Sequence, residues 1–161
     1  MYAGIDYDTN AVHVVVIQED GDLRYSHYEL VGHDPFERAR EVRDAMPSRG
    51  WWRDSGIIGC AIEEQASGNP RMRASVQKLK MIQGAILSCL PRDLLVQPLE
   101  ATRWRKELKI PGNASKEDVE FWCRFSSPHG GRFTGQSYPQ DFFDAYCMAL
   151  AAEKLTEPMA A

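Results

Sequence analysis

Four acidic residues of this sequence have types and spacings that could do chemistry together. Asp6 lies inside an apolar run near the N-terminus, Glu63 follows a second apolar run, and Asp141 and Asp144 are three residues apart in a helical pattern. Asp is depleted in strand interiors, and a buried carboxylate is costly unless a cation or a metal ion pairs with it. The pattern therefore predicts a shared acidic site.

Carboxylates gathered in this way favour a divalent cation, because like charges in one site cannot all stay ionised otherwise. Oxygen ligands select hard ions such as Mg²⁺ or Mn²⁺ over zinc. Two such ions, roughly 3.5–4 Å apart, can clamp the attacking and leaving oxygens of a phosphoryl displacement. Two other interpretations stay open: Asp141 and Asp144 could stabilise a helix N-terminus, and Glu63 or Glu64 could pair with an arginine.

The elements that must position these acids follow from hydrophobic periodicity and from turn and capping residues. Alternation along the first strand puts Gly4 and Asp6 on one face. Along the fourth strand it puts Glu63 on the face of Gly59 and Ala61. We predict strands at residues 2–7, 11–20, 23–30, 57–64 and within 93–100, helices at 36–46, 69–90, 113–125 and 140–154, and loops at 47–56 and 127–139.

The predicted order β-β-β-α-β-α-β-α-α indicates an α/β protein with a five-stranded mixed sheet and helices on both faces. Strands 1–3 would form an antiparallel meander, and strands 1, 4 and 5 would run parallel. This arrangement resembles the ribonuclease H-like fold, which related ATPase domains share. A chain of 161 residues without repeats or a linker-like segment predicts one domain, residues 1–161.

Three segments resemble the RuvC-type Holliday junction resolvases, which both bacteria and viruses, phages included, encode: GIDYDTNAVHVVVI at 4–17, AIEEQ at 61–65 and QDFFDAYCMALA at 140–151. The resemblance implies a metal-dependent endonuclease that resolves Holliday junctions or other branched DNA. It also implies that Asp6, Glu63, Asp141 and Asp144 hold two Mg²⁺ ions, for which Mn²⁺ would substitute. The family places its ligand first in an adjacent acidic pair, which favours Glu63 over Glu64.

A lysine adds to the implied catalytic set. The segment NASKEDV, residues 113–119, resembles the family segment in which a lysine at the start of a helix faces the scissile phosphate, and this lysine maps onto Lys116. An exposed lysine in a first helical turn is the alternative interpretation. The chain departs from the family after Glu63: no aromatic residue follows within residues 65–72, where Met72 is the nearest large apolar side chain.

Charge is distributed unevenly along the chain. The net charge is −4, yet residues 69–116 hold ten Lys or Arg and three Asp or Glu, a local balance of +7 that leaves −11 elsewhere. A basic middle suits a polyanionic partner, although solvated helix faces would give the same count. We predict branched DNA as the partner, bound by Arg71, Arg73, Lys78, Lys80, Arg103, Arg105, Lys106 and Lys109.

Several weaker expectations concern assembly and location. RuvC enzymes are homodimers through the helix after the fourth strand, although packing on the sheet explains the apolar stripe of that helix here equally well. Cutting two symmetric strands needs two sites, so we expect a homodimer. No stretch is apolar enough for a membrane span, no signal peptide is visible, and the four cysteines lack zinc spacing. These features predict a cytoplasmic protein with reduced thiols. The histidines form no ligand spacing and are interpreted as structural, at the surface or in strands. The Trp51–Trp52 pair could stack on bases, but a loop that anchors in the core is the favoured interpretation.

Other functions fit parts of the pattern. A ribonuclease H-like nuclease acting on RNA–DNA hybrid would use the same acids. A non-catalytic nucleic-acid-binding module would not be expected to keep all four of them. Half of a sugar-kinase or actin-type ATPase would use residues 4–10 as a phosphate-facing hairpin, but it has no need of Asp141 and Asp144.

Overall fold

A five-stranded mixed sheet forms the centre of the protein. The computed structural model describes residues 1–64, 73–133 and 135–156. The strand order is β3-β2-β1-β4-β5, with β1–β2 and β2–β3 antiparallel and β1–β4 and β4–β5 parallel. The predicted ribonuclease H-like sheet is therefore confirmed. Its strands are β1 (Tyr2–Tyr7), β2 (Ala11–Ile17), β3 (Leu23–Glu29), β4 (Gly59–Glu63) and β5 (Leu95–Leu99).

Helices cover both faces of this sheet, and the four predicted ones are present. Asp34 caps the first helix by accepting from two backbone amides, and Ser115 forms a capping box with Asp118. The predicted start of the 69–90 helix, residues 69–72, lies outside the described residues. The helices are α1 (Pro35–Ala45), α2 (Arg49–Asp54), α3 (Arg73–Cys89), α4 (Ala101–Glu107), α5 (Lys116–Phe125) and α6 (Gln140–Thr156).

Two short helices differ from the sequence prediction. Residues 47–56 were expected to form a loop, but Ser48 caps α2, and burial of Trp52 fixes it against the core. Trp51, its neighbour, stays 41% exposed. Helix α4 follows β5 directly and buries Trp104. Both helices are too short to show an apolar periodicity in the sequence. Short helices depend on tertiary packing, and here each one buries a tryptophan.

Two apolar layers hold the helices on the sheet. Helices α1 and α3 pack on one face, where Ile82 and Ile86 are fully buried. Helix α6 crosses the other face beneath α4 and α5. It is buried nearly all round because its sequence is apolar on every side after the first turn.

Small residues let α6 approach the sheet closely. A Cβ at Gly4 would lie 1.9 Å from the Ala145 carbonyl oxygen and 2.3 Å from the Ala149 amide nitrogen. Gly59 faces Thr156 near the other end of α6 in the same way. The predicted face of Gly4 and Gly59 is therefore the α6 face. Glycine in these strands sets the depth at which the first turn of α6 meets β1.

Two further expectations concern thiols and membranes. All four cysteines are buried and free, and the Cys123 and Cys147 sulfurs lie 3.4 Å apart between α5 and α6. None of the helices described is long and apolar enough to cross a bilayer.

Candidate active site

Three of the four predicted acids converge at one edge of the sheet. Asp6 lies near the end of β1, and Asp141 and Asp144 lie in the first turns of α6. One carboxylate oxygen from each falls within 4.8 Å of the others. Helix spacing puts the two α6 residues on one side, and the Gly4 contact brings that side down onto β1.

The fourth acid, Glu63, adjoins this cluster without belonging to the three-carboxylate group. It is the last residue of β4, which runs parallel to β1 in a register that pairs Ile5 with Ile62. Glu63 is half-buried and hydrogen-bonds with the Asp6 carboxyl, whereas Glu64 is exposed. The alternation predicted for β4 therefore agrees with the structure: Glu63, and not its neighbour, turns toward the acids.

The pKa values in the cluster reflect its burial. Burial raises the pKa of Asp6 well above its ordinary value, and the charge of Glu63 and the hydrogen bond with it add to the effect. Burial also raises the pKa of Asp144 to about 6, with the Lys116 charge opposing and the Glu63 and Asp141 charges adding. In the metal-free protein these carboxyls are thus held in a site that disfavours their ionised form.

The cluster fits a hard divalent cation. The Asp144 Oδ1 atom is buried, and no partner in the described part of the chain hydrogen-bonds it. A buried oxygen without a donor is costly, and a cation would satisfy it. Carboxylate oxygens are the only donors in the three-residue group, which is the donor set of Mg²⁺ or Mn²⁺ rather than of zinc.

Lys116 reaches the acids from the first turn of α5. Its Nζ lies 3.0 Å from Asp141 Oδ1 and 4.0 Å from Asp144 Oδ2. Burial lowers the pKa of Lys116, but the hydrogen bond to Asp141 and the surrounding carboxylates together raise it above its ordinary value. The side chain is nevertheless 59% exposed, so its ammonium group faces both the acids and the solvent.

His13 also borders the site, although the sequence interpretation treated it as a structural histidine. It lies on β2 directly opposite Asp6, is 6% exposed, and places Nε2 3.6 Å from Asp141 Oδ2. Burial lowers its pKa, with Asp141 opposing that shift. A sequence signal existed: the antiparallel register implied by the 8–10 turn pairs position 13 with position 6.

Seven of the eight predicted DNA-binding residues lie in the described part of the chain, where they fall in two layers. Arg103, Arg105, Lys106 and Lys109 cluster on α4 and its C-terminal end, and the charge of Arg105 opposes the rise in the pKa of Asp144 that burial causes. Lys78 and Lys80 are exposed on α3, in the opposite layer, and Arg73 is the first residue of that helix. Arg71 and Met72 lie outside the described residues.

Comparison with known proteins identifies solved structures that have a similar fold. No known family profile matches the chain, and no curated protein matches it. The structure is similar to that of Thermus thermophilus RuvC, with a TM-score of 0.67, 20% sequence identity, and 98% of this chain and 95% of that chain covered. It is also similar to Thermus thermophilus RuvC in complex with a Holliday junction substrate, with a TM-score of 0.72, 20% identity, and coverage of 98% and 94%.

A third similar structure is a Fowlpox virus resolvase in complex with Holliday junction DNA, with a TM-score of 0.45, 11% identity, and coverage of 96% of this chain and 99% of that chain. At sequence identities of 20% or less, the structural similarity establishes a shared fold. This protein is an α/β protein with a ribonuclease H-like sheet that ends in an acidic cluster. More particularly, it has the fold of RuvC over nearly its whole length.

Proposed function

We propose that this protein is a divalent-metal-dependent endonuclease that resolves Holliday junctions or other branched DNA. The observation that carries the proposal is the convergence of Asp6, Asp141 and Asp144 within 4.8 Å, on a fold shared with RuvC. The buried, unpartnered oxygen of Asp144 supports a cation there rather than a carboxylate cluster stabilised by protein donors alone.

Each acid has a role under this proposal. Asp6, Glu63, Asp141 and Asp144 hold two Mg²⁺ ions, and Mn²⁺ substitutes for them. The chemistry that such ions supply is neutralisation of charge and alignment of the attacking and leaving oxygens in phosphodiester hydrolysis. Burial raises the pKa values of Asp6 and Asp144 in the metal-free protein, and bound cations would favour the ionised form of both carboxyls.

Lys116 can pair either with the Asp141 carboxylate or with a phosphate of the DNA. In the metal-free protein its ammonium group neutralises Asp141 at 3.0 Å. With Asp141 neutralised by bound cations instead, the exposed ammonium would be available to a phosphate oxygen of the DNA. A lysine is well suited to this exchange because it is a compact charge on a flexible stem. We therefore assign Lys116 to the catalytic set, where it would stabilise the scissile phosphate.

The basic residues supply the remaining DNA contacts. The α4 group lies on the same side of the sheet as α6, and Arg105 is near enough to Asp144 for its charge to oppose the rise in pKa that burial causes. We propose that this group holds the strand next to the cut, while Lys78 and Lys80 contact a second arm. Affinity for DNA would then come largely from release of counterions and would fall steeply with salt.

A homodimer suits a four-way substrate, because two symmetric cuts need two sites related by a two-fold axis. We propose that α3 contributes the interface. Its inner face packs on the sheet, and its outer face exposes Leu87 and the small residue Gly84. Sedimentation equilibrium, with and without junction DNA, measures this directly; a monomer on the bound junction would contradict it.

The test of function combines a substrate panel with a metal panel. Purified protein is incubated with a four-way junction, a linear duplex and an RNA–DNA hybrid, each in Mg²⁺, in Mn²⁺ and in EDTA. We expect paired cuts in the junction with either ion and none in chelator. Full activity in EDTA would contradict metal dependence, and cleavage of hybrid with no cleavage of junction would replace branched DNA as the substrate.

A matched pair of variants tests the acids. Glu63→Gln keeps shape and removes a charge next to Asp6, so turnover should fall by orders of magnitude while junction binding survives. Glu64→Gln changes the exposed neighbour and should leave turnover within a few-fold of the parent. Cleavage and gel binding are measured side by side. Equal turnover in both variants and the parent would remove Glu63 from the site.

A further inference from the structure

His13 is a buried residue beside the acidic cluster, and it has no role among the proposed metal ligands. Its cross-strand neighbour on one side is Asp6 and on the other is His27, so the three residues form a row across β1, β2 and β3 on the α6 face. The His13 and His27 rings stack at 4.7 Å. His27 is exposed, but His13 is buried, and a buried imidazole needs a partner for each ring nitrogen.

Tyr25 fixes which nitrogen of His13 carries the proton. The Tyr25 hydroxyl lies 2.8 Å from His13 Nδ1. If the hydroxyl donates to Nδ1, the ring proton is on Nε2 and points at Asp141 Oδ2. The reverse tautomer would aim the Nε2 lone pair at a carboxylate oxygen 3.6 Å away, which is repulsive. The first arrangement is therefore the stable one for a neutral ring.

Asp141 is consequently held by both of its oxygens. Lys116 takes Oδ1 at 3.0 Å, and His13 Nε2 faces Oδ2 at 3.6 Å. The second separation exceeds the roughly 2.7–3.2 Å of an N–H···O hydrogen bond, so it is an electrostatic contact. His13 does not itself belong to the group of ligand atoms that lie within 4.8 Å of one another among the described residues.

We propose that His13 is a positioning residue that orients the Asp141 carboxylate for metal binding through its Nε2–H group, with the Tyr25 hydroxyl setting the tautomer. This inference rests on the proposed metal-dependent function. Groups behind a metal ligand that fix its orientation commonly matter 10–100-fold for metal affinity or activity. His13 is placed to keep Asp141 aimed at Asp6 and Asp144 when Lys116 turns to the DNA.

The chain offers variants that separate this role from packing. In His13→Gln the amide nitrogen stands near the position of Nε2 and can donate to Asp141. In His13→Asn the amide nitrogen stands near the position of Nδ1 and falls short. Tyr25→Phe removes only the hydroxyl. It keeps the aromatic ring, which packs edge-on against Phe142 with the ring centroids 5.2 Å apart. His33→Gln, at an exposed histidine elsewhere, is the control.

The readout is Mn²⁺ binding to the DNA-free protein, measured by titration calorimetry, beside the Mn²⁺ dependence of junction cleavage. We expect His13→Asn to weaken Mn²⁺ binding 10–100-fold, Tyr25→Phe to weaken it less, and His13→Gln to restore it to within a few-fold of the parent. Thermal unfolding in EDTA shows whether each variant is folded. Junction binding in EDTA should be equal for all folded variants.

Two results overturn the inference alone. The first is a folded His13→Asn variant that binds Mn²⁺ as tightly as a metal-binding parent. The second is a His13→Gln variant as weak as His13→Asn, because it would mean that the Nε2 donor is not what matters. A parent that binds no Mn²⁺ and cuts no junction overturns the proposed function together with the inference.

Discussion

Replacing Asp144 by asparagine should stabilise the metal-free protein. The Asp144 carboxyl is only 16% exposed, shares its site with Asp6, Glu63 and Asp141, and leaves Oδ1 without a hydrogen-bond partner among the described residues. Above its pKa the group must ionise in this environment. Asparagine has nearly the same shape but no charge, so it removes the penalty and retains the packing of the first turn of α6.

The magnitude follows from the raised pKa of Asp144. A shift from 3.8 to about 6 corresponds to about 3 kcal/mol lost from the free energy of unfolding at neutral pH. The folded pKa lies above the unfolded one, so the native state binds more protons between these values. The loss is therefore absent below about pH 4, grows as pH rises to about 6, and is complete above it.

Urea unfolding in EDTA across pH 4–8 measures this difference. The free energies of unfolding of the parent and Asp144→Asn should agree near pH 4, and by pH 7.5 the variant should be more stable by about 2–3 kcal/mol. Asp93→Asn, at an exposed aspartate between α3 and β5, should match the parent throughout. A variant that is no more stable than the parent at pH 7.5 would refute the electrostatic reasoning.

Mn²⁺ should reverse the order of stability. A ligand at 1,000 times its dissociation constant stabilises the native state by about 4.1 kcal/mol, which exceeds the deficit of the parent. The parent should gain this while the Asp144→Asn variant, lacking one ligand, gains little. Unfolding with and without Mn²⁺ therefore compares the stability that Asp144 removes from the metal-free protein with the stability that it adds when metal is bound. If both proteins gain equally, Asp144 is not a metal ligand.

The remaining predictions concern packing and the DNA-binding surface. Gly4→Ala places a Cβ against the α6 backbone, so we expect a loss of roughly 3 kcal/mol or more in urea unfolding together with weaker Mn²⁺ binding. Gly84→Ala, in the helix α3 and with open space in the described structure, should instead gain about 0.5–1 kcal/mol. Arg105→Ala with Lys106→Ala should weaken junction binding and flatten its salt dependence; an unchanged slope would locate the DNA elsewhere.

The sheet and the acids were predictable because local signals and function agree there. Asp6 stands out as a charge within β1, and Glu63 as a charge that ends β4. Period-2 alternation then put both on the face that α6 covers. The three-residue spacing of Asp141 and Asp144 gave a shared helix side. Each inference needed only one element and its own period, which is the range over which a single sequence is informative.

The rest depended on contacts between elements that are distant in sequence. Helices α2 and α4 exist because Trp52 and Trp104 are buried, which no local pattern states. His13 reads as one polar residue in a β-branched strand until the β1–β2 register sets it against Asp6 and α6 brings Asp141 over it. Likewise, the basic residues form a continuous stretch in sequence but divide between two layers once β5 separates α3 from α4.

The depth of α6 links stability to function in this fold. Gly4 allows the helix backbone to touch β1, and the apolar residues that follow the first turn of α6 bury it there. The same approach forces Asp141 and Asp144 against Asp6, where their charges oppose folding unless a cation is present. A larger residue at position 4 would hold α6 further from β1. The greater distance would reduce the repulsion between the carboxylates and would also separate the metal ligands. Substitutions at Gly4 should therefore lower both the metal affinity and the free energy of unfolding, whereas Asp144→Asn should lower the metal affinity and raise the free energy of unfolding of the metal-free protein.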